Sequence, residues 1–175
     1  MTYTIRLALE NDLDALTDVE NSAMVLFSQV GLSWISEAPP LDRAFLYERM
    51  ASENLWVAAD ISNQPAGFIV GKEMDGFYFI YELSVSQEHQ RKGLGRRLAQ
   101  KVMDYAHENA YPAITLTTYR DLPWNGPFYN SLGFREIMPS PAIPELSAKL
   151  EKEIAFGHAR ERRCIMIREL PEATD

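Results

Sequence analysis

The sequence predicts an α/β fold in which helices flank a mixed, mostly antiparallel central sheet of about 6–7 strands. Short β-branched and aromatic segments alternate with segments whose apolar residues recur at helical spacing. The turn residues at 60–65 and at Asp75-Gly76 join neighbouring strands into an antiparallel meander. A helix separates the strands at 78–85 and 114–118, and a helical crossover makes two such strands parallel.

The remaining elements follow from the same patterns. In chain order they are a strand at 3–8, a helix capped by Asn11 or Asp12 and ended by Gly31, a loop at 32–40, a helix at 42–50, strands at 55–59 and 67–71, a short helix at 124–132 ended by Gly133, a strand at 134–138, a helix at 145–156 and a closing strand at 164–168. The tail from Pro171 is expected to be loose.

Composition limits the class of protein. At 175 residues the chain has the length of one domain, 1–175, and its 46% hydrophobic content supports a packed core. A net charge of -8 argues against nucleic-acid binding, and no apolar stretch is long enough to span a membrane. The single Cys164 lies in the closing strand, where we expect a buried, inert thiol. We expect a cytoplasmic protein.

The central stretch, 78–105, predicts a strand, a loop and a helix. The strand at 78–85 is apolar on both faces, so it is expected to be buried, which makes its only carboxylate, Glu82, conspicuous. The following helix carries an apolar stripe. Its members are Leu94, Leu98, Val102 and Ala106.

The loop between this strand and helix is Gln90-Arg91-Lys92-Gly93-Leu94-Gly95. Glycines allow a tight turn that brings backbone N–H groups close to an oxyanion, with the positive end of the helix dipole behind them. An ordinary strand-to-helix turn has the same pattern. The third glycine of a dinucleotide fingerprint is replaced by Leu98, and no Gly-Lys-Ser/Thr of a P-loop follows, so neither of those motifs is present.

A second motif follows at 124–134, Trp-Asn-Gly-Pro-Phe-Tyr-Asn-Ser-Leu-Gly-Phe. Gln-x-x-Gly-x-Gly after a strand, then Asn-x-x-Phe-Tyr-x-x-x-Gly-Phe, resembles the acetyl-CoA-binding core of the GNAT superfamily of N-acetyltransferases. The resemblance covers about 77–135. It implies a sheet that is splayed at the cofactor cleft, and direct transfer of an acetyl group from acetyl-CoA to a primary amine of a small molecule, amino acid or peptide.

The resemblance also implies which residues hold acetyl-CoA, the cosubstrate. The backbone at 91–96 binds the pyrophosphate, and the main chain of the preceding strand binds the pantetheine arm. For Arg91 and Lys92, a solvated basic patch is an equally good interpretation. The cofactor-binding residues implied are Leu83, Val85, Gln90, Arg91, Lys92, Gly93, Leu94, Gly95, Arg96, Asn125 and Phe128.

Two residues are implied in proton transfer. Tyr129 stands where the family places its acid, and a phenol of pKa about 10 is protonated when a thiolate leaves. Glu82 is the candidate base, although a buried ion pair or attraction of a cationic acceptor explains it equally well. His89, His107 and His158 lack ligand spacing, so no metal site is predicted.

The acceptor is not identified by the sequence. Aromatic residues available to line its pocket are Phe27, Trp34, Tyr81, Tyr119 and Trp124, and Glu20 and Glu37 are acidic candidates. For Phe27 core packing, and for the glutamates plain solvation, are the competing interpretations. The alternative function is a non-catalytic acyl-CoA sensor or interaction module. A homodimer is compatible with the sequence.

Overall fold

The computed structural model describes residues 2–172. Within them seven strands form one sheet in the order β1-β2-β3-β4-β5-β7-β6. The strands are β1 (Thr4–Leu7), β2 (Leu55–Ala59), β3 (Pro65–Met74), β4 (Phe77–Val85), β5 (Ala113–Tyr119), β6 (Arg135–Ile137) and β7 (Arg163–Glu169). The predicted number of strands, about 6–7, is confirmed, while the splay at the cofactor stays a prediction.

Six helices accompany the sheet in the described part of the chain. They are α1 (Leu13–Ser28), α2 (Ser33–Ser36), α3 (Arg43–Ala51), α4 (Leu94–Glu108), α5 (Gly126–Asn130) and α6 (Pro144–Phe156). Two 3₁₀ turns, Glu10–Asp12 and Gln87–His89, precede α1 and α4. None of these helices is both long enough and apolar enough to cross a membrane.

Strand pairing is antiparallel except at the centre. The loop between β3 and β4 has two residues, Asp75 and Gly76, with φ of 54° and 77°. Positive φ at both positions defines the type I′ turn that closes an antiparallel hairpin. β4 runs parallel to β5, with Tyr78 opposite Ile114, whereas β7 is antiparallel to both β5 and β6. The parallel crossover through α4 is therefore as predicted.

The chain forms two compact units. The first comprises residues up to Lys72 together with Tyr81–Val102, and the second comprises Glu73–Ile80 together with the residues from Met103 on. The single domain 1–175 stays a prediction. In the first unit, one face of α1 packs with α3 on β2 and β3. The buried residues of this core are Ala8, Leu13, Leu16, Val19, Leu46, Leu55, Val57, Phe68 and Val70.

The second unit is organised around β5 and β7. Tyr78 makes edge-on ring contacts with Tyr105 and Tyr111, each with 5.4 Å between ring centroids. The carboxylate of Asp75 accepts hydrogen bonds from the amides of Glu145 and Leu146. These are N-terminal amides of α6, which lack partners within the helix, so the hairpin turn caps that helix.

Four local expectations need correction. The predicted loop at 32–40 contains the single helical turn α2, and the short helix α5 begins at Gly126 rather than at Trp124. β4 is not buried along its whole length: residues 78–80 and Ser84 are buried, whereas Glu82 is half-buried. Asp12 precedes α1 but does not cap it, because its carboxylate binds Arg6 and the amide of Leu9.

Other expectations agree with the structure. All four residues of the predicted stripe on α4 are buried. Asp42 caps α3 by accepting from the amides of Ala44 and Phe45. The predicted tail begins at Pro171, and its last three residues lie outside the described range.

Candidate active site

The loop after β4 has the conformation expected of a phosphate cradle. Arg91 and Gly93 both have left-handed backbones, with φ of 59° and 77°, and α4 begins directly afterwards at Leu94. Alternating backbone conformations of this kind turn successive N–H groups toward one side, where they bind anions. The first amides of a 15-residue helix add unpaired donors and a positive dipole end.

The side chains of this loop differ in whether they are free to contact a ligand. Arg91 is exposed, and its guanidinium makes no hydrogen bond or ion pair within residues 2–172. Gln90, by contrast, donates from Nε2 to the carbonyl of Val85 at 3.0 Å, which ties the loop to the end of β4. Leu94 is buried, so only its backbone is available to a ligand. Among these residues, Arg91 is therefore best placed to add charge to the cradle.

Contacts with Tyr3, the residue just before β1, also hold this loop. Nζ of Lys92 donates to the carbonyl of Glu88 at 2.8 Å and lies 3.4 Å from the hydroxyl of Tyr3. That hydroxyl is 2.8 Å from Nδ1 of His89, and Arg97 donates to the carbonyl of Tyr3. Lys92 thus helps to fix the backbone of the loop, a role that the sequence did not indicate.

Glu82 lies in the second half of β4. The hydroxyl of Ser84, two residues on and on the same face of the strand, donates to Oε1 of Glu82 at 2.9 Å. β3 approaches closely here, because a Cβ at Gly67 would lie 2.9 Å from the carbonyl oxygen of Ser84. Gly67 therefore lets β3 lie against this part of β4. Leu83 and Val85 are half-buried, and their cofactor role stays a prediction.

Glu20, on α1, is buried, so its interpretation as a solvated glutamate was wrong, while its contact with an acceptor stays a prediction. Only 7% of it is exposed, and its Oε2 accepts from the amide of Leu41 at 2.9 Å. Burial, together with the negative charge of Glu82, raises the pKa of Glu20 to about 7. A carboxyl group that titrates near neutrality is a frequent feature of functional sites.

In the second unit, the motif at 124–134 forms α5 and its flanks. Tyr129 is buried, and its ring contacts those of Phe128 and Phe134 edge-on, at 5.1 and 5.5 Å between centroids. Its amide donates to the carbonyl of Asn125. A Cβ at Gly126 would lie 2.5 Å from the carbonyl oxygen of Arg120, so glycine is required at the start of this helix.

Asn125 has an unsatisfied group. Its Oδ1 is buried and has no hydrogen-bond partner in the described part of the chain. Buried polar atoms in folded proteins almost always have a partner, so an exception points to a group supplied by a ligand. Asn125 thus offers a free acceptor, and its contact with the cofactor stays a prediction.

The aromatic acceptor candidates have different surroundings. Tyr81 packs against Phe45 of α3, with ring centroids 4.7 Å apart, while Phe27 and Trp34 are half-buried on α1 and α2. Tyr119 is buried, and its hydroxyl is 2.6 Å from Nδ1 of His158. Its hydroxyl is thus already engaged, while Trp124 is half-buried just before α5. Their contact with an acceptor stays a prediction.

The single cysteine behaves as the sequence predicted. Cys164 is a buried free thiol in β7, and burial raises its pKa to about 12. Because the thiolate is the nucleophilic form, a thiol of such high pKa is inert at neutral pH. Cys164 is therefore unsuited to act as a nucleophile.

Comparison with known proteins identifies the family. The family model for the Acetyltransferase (GNAT) family matches residues 16–134. The chain belongs to the GNAT family. The match includes both motifs and extends back to α1, so the predicted acyltransferase is confirmed at the level of the family.

Named relatives of this GNAT chain include an N-acetylaspartate synthetase and a probable N-acetyltransferase. The N-acetylaspartate synthetase of Xenopus tropicalis is 26% identical over 127 residues, which are 70% of this chain and 46% of that protein. The probable N-acetyltransferase camello of Xenopus laevis is 33% identical over 101 residues, 54% of this chain and 44% of that protein. The chain thus spans less than half the length of these relatives.

Solved structures share the GNAT fold. The PaiA N-acetyltransferase of Thermoplasma acidophilum, in complex with coenzyme A, has a TM-score of 0.72 at 16% identity, over 97% of this chain and 100% of that chain. The N-acetylglutamate synthase of Neisseria gonorrhoeae, complexed with coenzyme A and N-acetyl-glutamate, has a TM-score of 0.70 at 16% identity, over 98% and 36% of the two chains. At such low identity the likeness establishes the fold alone.

Proposed function

We propose that this protein is an N-acetyltransferase that moves the acetyl group of acetyl-CoA directly to a primary amine. The observation that carries the proposal is the loop after β4, where left-handed Arg91 and Gly93 lead into the N-terminus of α4. Family membership supports acetyl transfer, and the unsatisfied Oδ1 of Asn125 supports a bound ligand.

Each part of the cofactor has protein groups suited to it. Backbone amides from Arg91 to Arg96 bind the pyrophosphate, and Arg91 adds a positive charge. The main chain of Leu83 and Val85 binds the pantetheine arm, and Asn125 accepts from a donor group on it. Because the carbonyl of Val85 already accepts from Gln90, we expect Leu83 to contribute more of the pantetheine contacts.

The reaction forms one C–N bond and breaks one C–S bond. The ammonium of the acceptor loses a proton to Glu82, directly or through a water, and the free amine attacks the thioester carbonyl. When the tetrahedral intermediate collapses, the sulfur leaves with the bonding electron pair and receives a proton from Tyr129. The nitrogen of the intermediate gives its second proton to water, and Tyr129 regains a proton from water, so the net proton released is the one first taken by Glu82. The products are an acetamide, coenzyme A and one proton.

Thermal unfolding with and without acetyl-CoA tests cofactor binding, because a ligand that binds only the folded state raises the midpoint. Gly93→Ala and Gly76→Ala form a matched pair. Both glycines have φ of 77°, and neither has an atom within 4 Å of an added Cβ. Both changes are expected to cost about 1 kcal/mol from backbone strain. Only Gly93→Ala should reduce the shift produced by acetyl-CoA.

No shift with the wild-type protein at millimolar acetyl-CoA would contradict the proposal. Initial rates of coenzyme A release, measured with a panel of amines, amino acids and a peptide digest, then identify the acceptor. Aspartate belongs in the panel because a named relative is an N-acetylaspartate synthetase. A shift with acetyl-CoA but no turnover with any acceptor favours the alternative function, a non-catalytic acyl-CoA sensor.

A further inference from the structure

Glu20 is an unusual carboxylate because nothing in the described chain balances its charge. It is 93% buried, since 7% of it is exposed, and it forms no ion pair with any lysine, arginine or histidine of residues 2–172. One oxygen accepts from the amide of Leu41, and the other has no hydrogen-bond partner there. Buried carboxylates are normally paired with a cation, because desolvation of an isolated charge is costly.

The negative charge of Glu82 makes the ionised form of Glu20 less favourable still. The negative charge of Glu82 acts on Glu20, and both residues belong to the first unit. Glu82 is the candidate base of the proposed reaction, and its Oε1 accepts from Ser84. Two carboxylates that repel each other are stabilised together when a cation binds to them.

We propose that Glu20 is a specificity-determining residue, which with Glu82 receives the cationic amine of the acceptor and disfavours acceptors that carry a carboxylate next to that amine. This inference rests on the proposed function and names its substrate class. A free carboxylate on the carbon that bears the amine would bring a third negative charge to the pair. Simple amines and diamines avoid that repulsion, whereas free α-amino acids do not.

The ionisation of Glu20 should make the affinity for amines depend on pH. Because burial and Glu82 raise its pKa to about 7, the fraction of Glu20 that is ionised increases about tenfold between pH 6 and pH 8. Aliphatic amines stay protonated over this range. Their affinity for the wild-type protein should therefore increase by up to about tenfold from pH 6 to pH 8.

Charged groups on the elements around α1 are engaged elsewhere. Arg43 pairs with Asp14, Arg49 lies over the ring of Phe45, and His89 contacts Tyr3. Glu82 is the charged group that acts on Glu20. The pH dependence of amine binding should therefore follow Glu20.

Matched amines test the proposal. The pairs 1,5-diaminopentane and lysine, agmatine and arginine, and histamine and histidine differ only by the carboxylate next to one amine. Calorimetric affinities of the wild-type protein, with and without acetyl-CoA, should favour the amine over the amino acid by at least about tenfold, which corresponds to about 1.4 kcal/mol. Glu20→Gln should abolish most of this preference and its pH dependence.

Asp18→Asn is the control, since it removes one negative charge from an exposed position of the same helix. It should leave both the preference and its pH dependence unchanged. The inference is overturned if the amino acids bind as well as the amines, or if Glu20→Gln keeps the preference for amines. It is also overturned if Mg²⁺ alone raises the unfolding midpoint of the wild-type protein but not that of Glu20→Gln. Acetyl-CoA binding is measured separately by thermal unfolding. If acetyl-CoA does not bind, the proposed function is contradicted, while the amine affinities still test the role of Glu20.

Discussion

Tyr119 and His158 share a hydrogen bond of 2.6 Å between the phenolic oxygen and Nδ1. Burial raises the pKa of the tyrosine, so its hydroxyl stays protonated and donates to the imidazole. Burial and the charge of Arg163 lower the pKa of His158 to about 4, so the ring is neutral at physiological pH. The folded protein thus keeps His158 in its neutral form, which can accept the hydrogen bond from Tyr119.

The protein should lose stability between pH 6.5 and pH 4 because of this histidine. His158 in the unfolded chain binds a proton below its ordinary pKa of 6.5, whereas the folded form binds it only near 4. The unfolded state therefore binds more protons in this window, and stability falls as the pH falls. His158→Gln keeps an acceptor for Tyr119 and should show a smaller decrease of the unfolding midpoint. His107→Gln, at an exposed position, should show the same decrease of the unfolding midpoint as the wild-type protein. An equal decrease in all three proteins contradicts the prediction.

Tyr129→Phe should lower turnover by about one to two orders of magnitude, because the departing thiolate loses its proton donor. The ring contacts with Phe128 and Phe134 do not need the hydroxyl, so folding and acetyl-CoA affinity should change little. Steady-state rates and calorimetric binding separate the two effects. Tyr47→Phe, at an exposed tyrosine of α3, is the control. Unchanged turnover removes the acid role from Tyr129.

Asn125→Ala should weaken acetyl-CoA binding without destabilising the free protein. The Oδ1 atom of Asn125 has no partner among the described residues, so its removal relieves a buried unsatisfied acceptor. The unfolding midpoint without ligand should stay the same or rise, and the shift with acetyl-CoA should shrink. Asn130→Ala, at an exposed position of α5, should leave that shift intact. A large loss of stability without ligand would instead indicate a structural role.

Periodicity and glycine patterns were sufficient to predict most of the fold. The spacing of Leu94 and Leu98 predicts the buried face of α4, and the Asp75-Gly76 pair predicts the hairpin turn, because both signals are local. The burial of Glu20 could not be predicted, since the amide that binds it belongs to Leu41, 21 residues away. A solvated glutamate and a buried one look alike in sequence.

The candidate site shows the same division between local and long-range signals. The loop at 90–95 was recognisable because its glycines follow a strand and precede a helix. The contact between Lys92 and Tyr3 joins residues that are 89 positions apart, and no pattern in the sequence connects them. Close approach at Gly67 likewise depends on the pairing of β3 with β4, so its role is apparent only in the folded chain.

Thr115→Val should stabilise the protein by about 1 kcal/mol, because the hydroxyl of Thr115 is fully buried and has no hydrogen-bond partner among the described residues. Thr117→Val is the matched change on the same strand. The hydroxyl of Thr117 bonds to Glu153 and lies 3.3 Å from Arg163, so its removal should destabilise the protein. Chemical denaturation of both variants tests the pair. Destabilisation of equal size in both contradicts the prediction for Thr115.

Glu20→Gln should stabilise the protein above pH 7 and have little effect near pH 5. The unfolded chain releases the proton of Glu20 above its ordinary pKa of 4.5, whereas burial and Glu82 hold that proton in the folded state up to about pH 7. The folded state therefore binds more protons between these values, and wild-type stability decreases as the pH rises through them. Glutamine stays neutral and still accepts from Leu41.

After allowance for solvent screening, a gain of about 1 kcal/mol at pH 8 corresponds to a rise of about 2–4 °C in the unfolding midpoint. Asp18→Asn, exposed on the same helix, should show no such pH-dependent difference from wild type. A stabilisation of equal size at pH 5 and pH 8 contradicts the titration of Glu20. If the stabilised variant also loses its preference for simple amines, the same buried carboxylate limits stability and selects the acceptor, as expected where function requires an unfavourable charge.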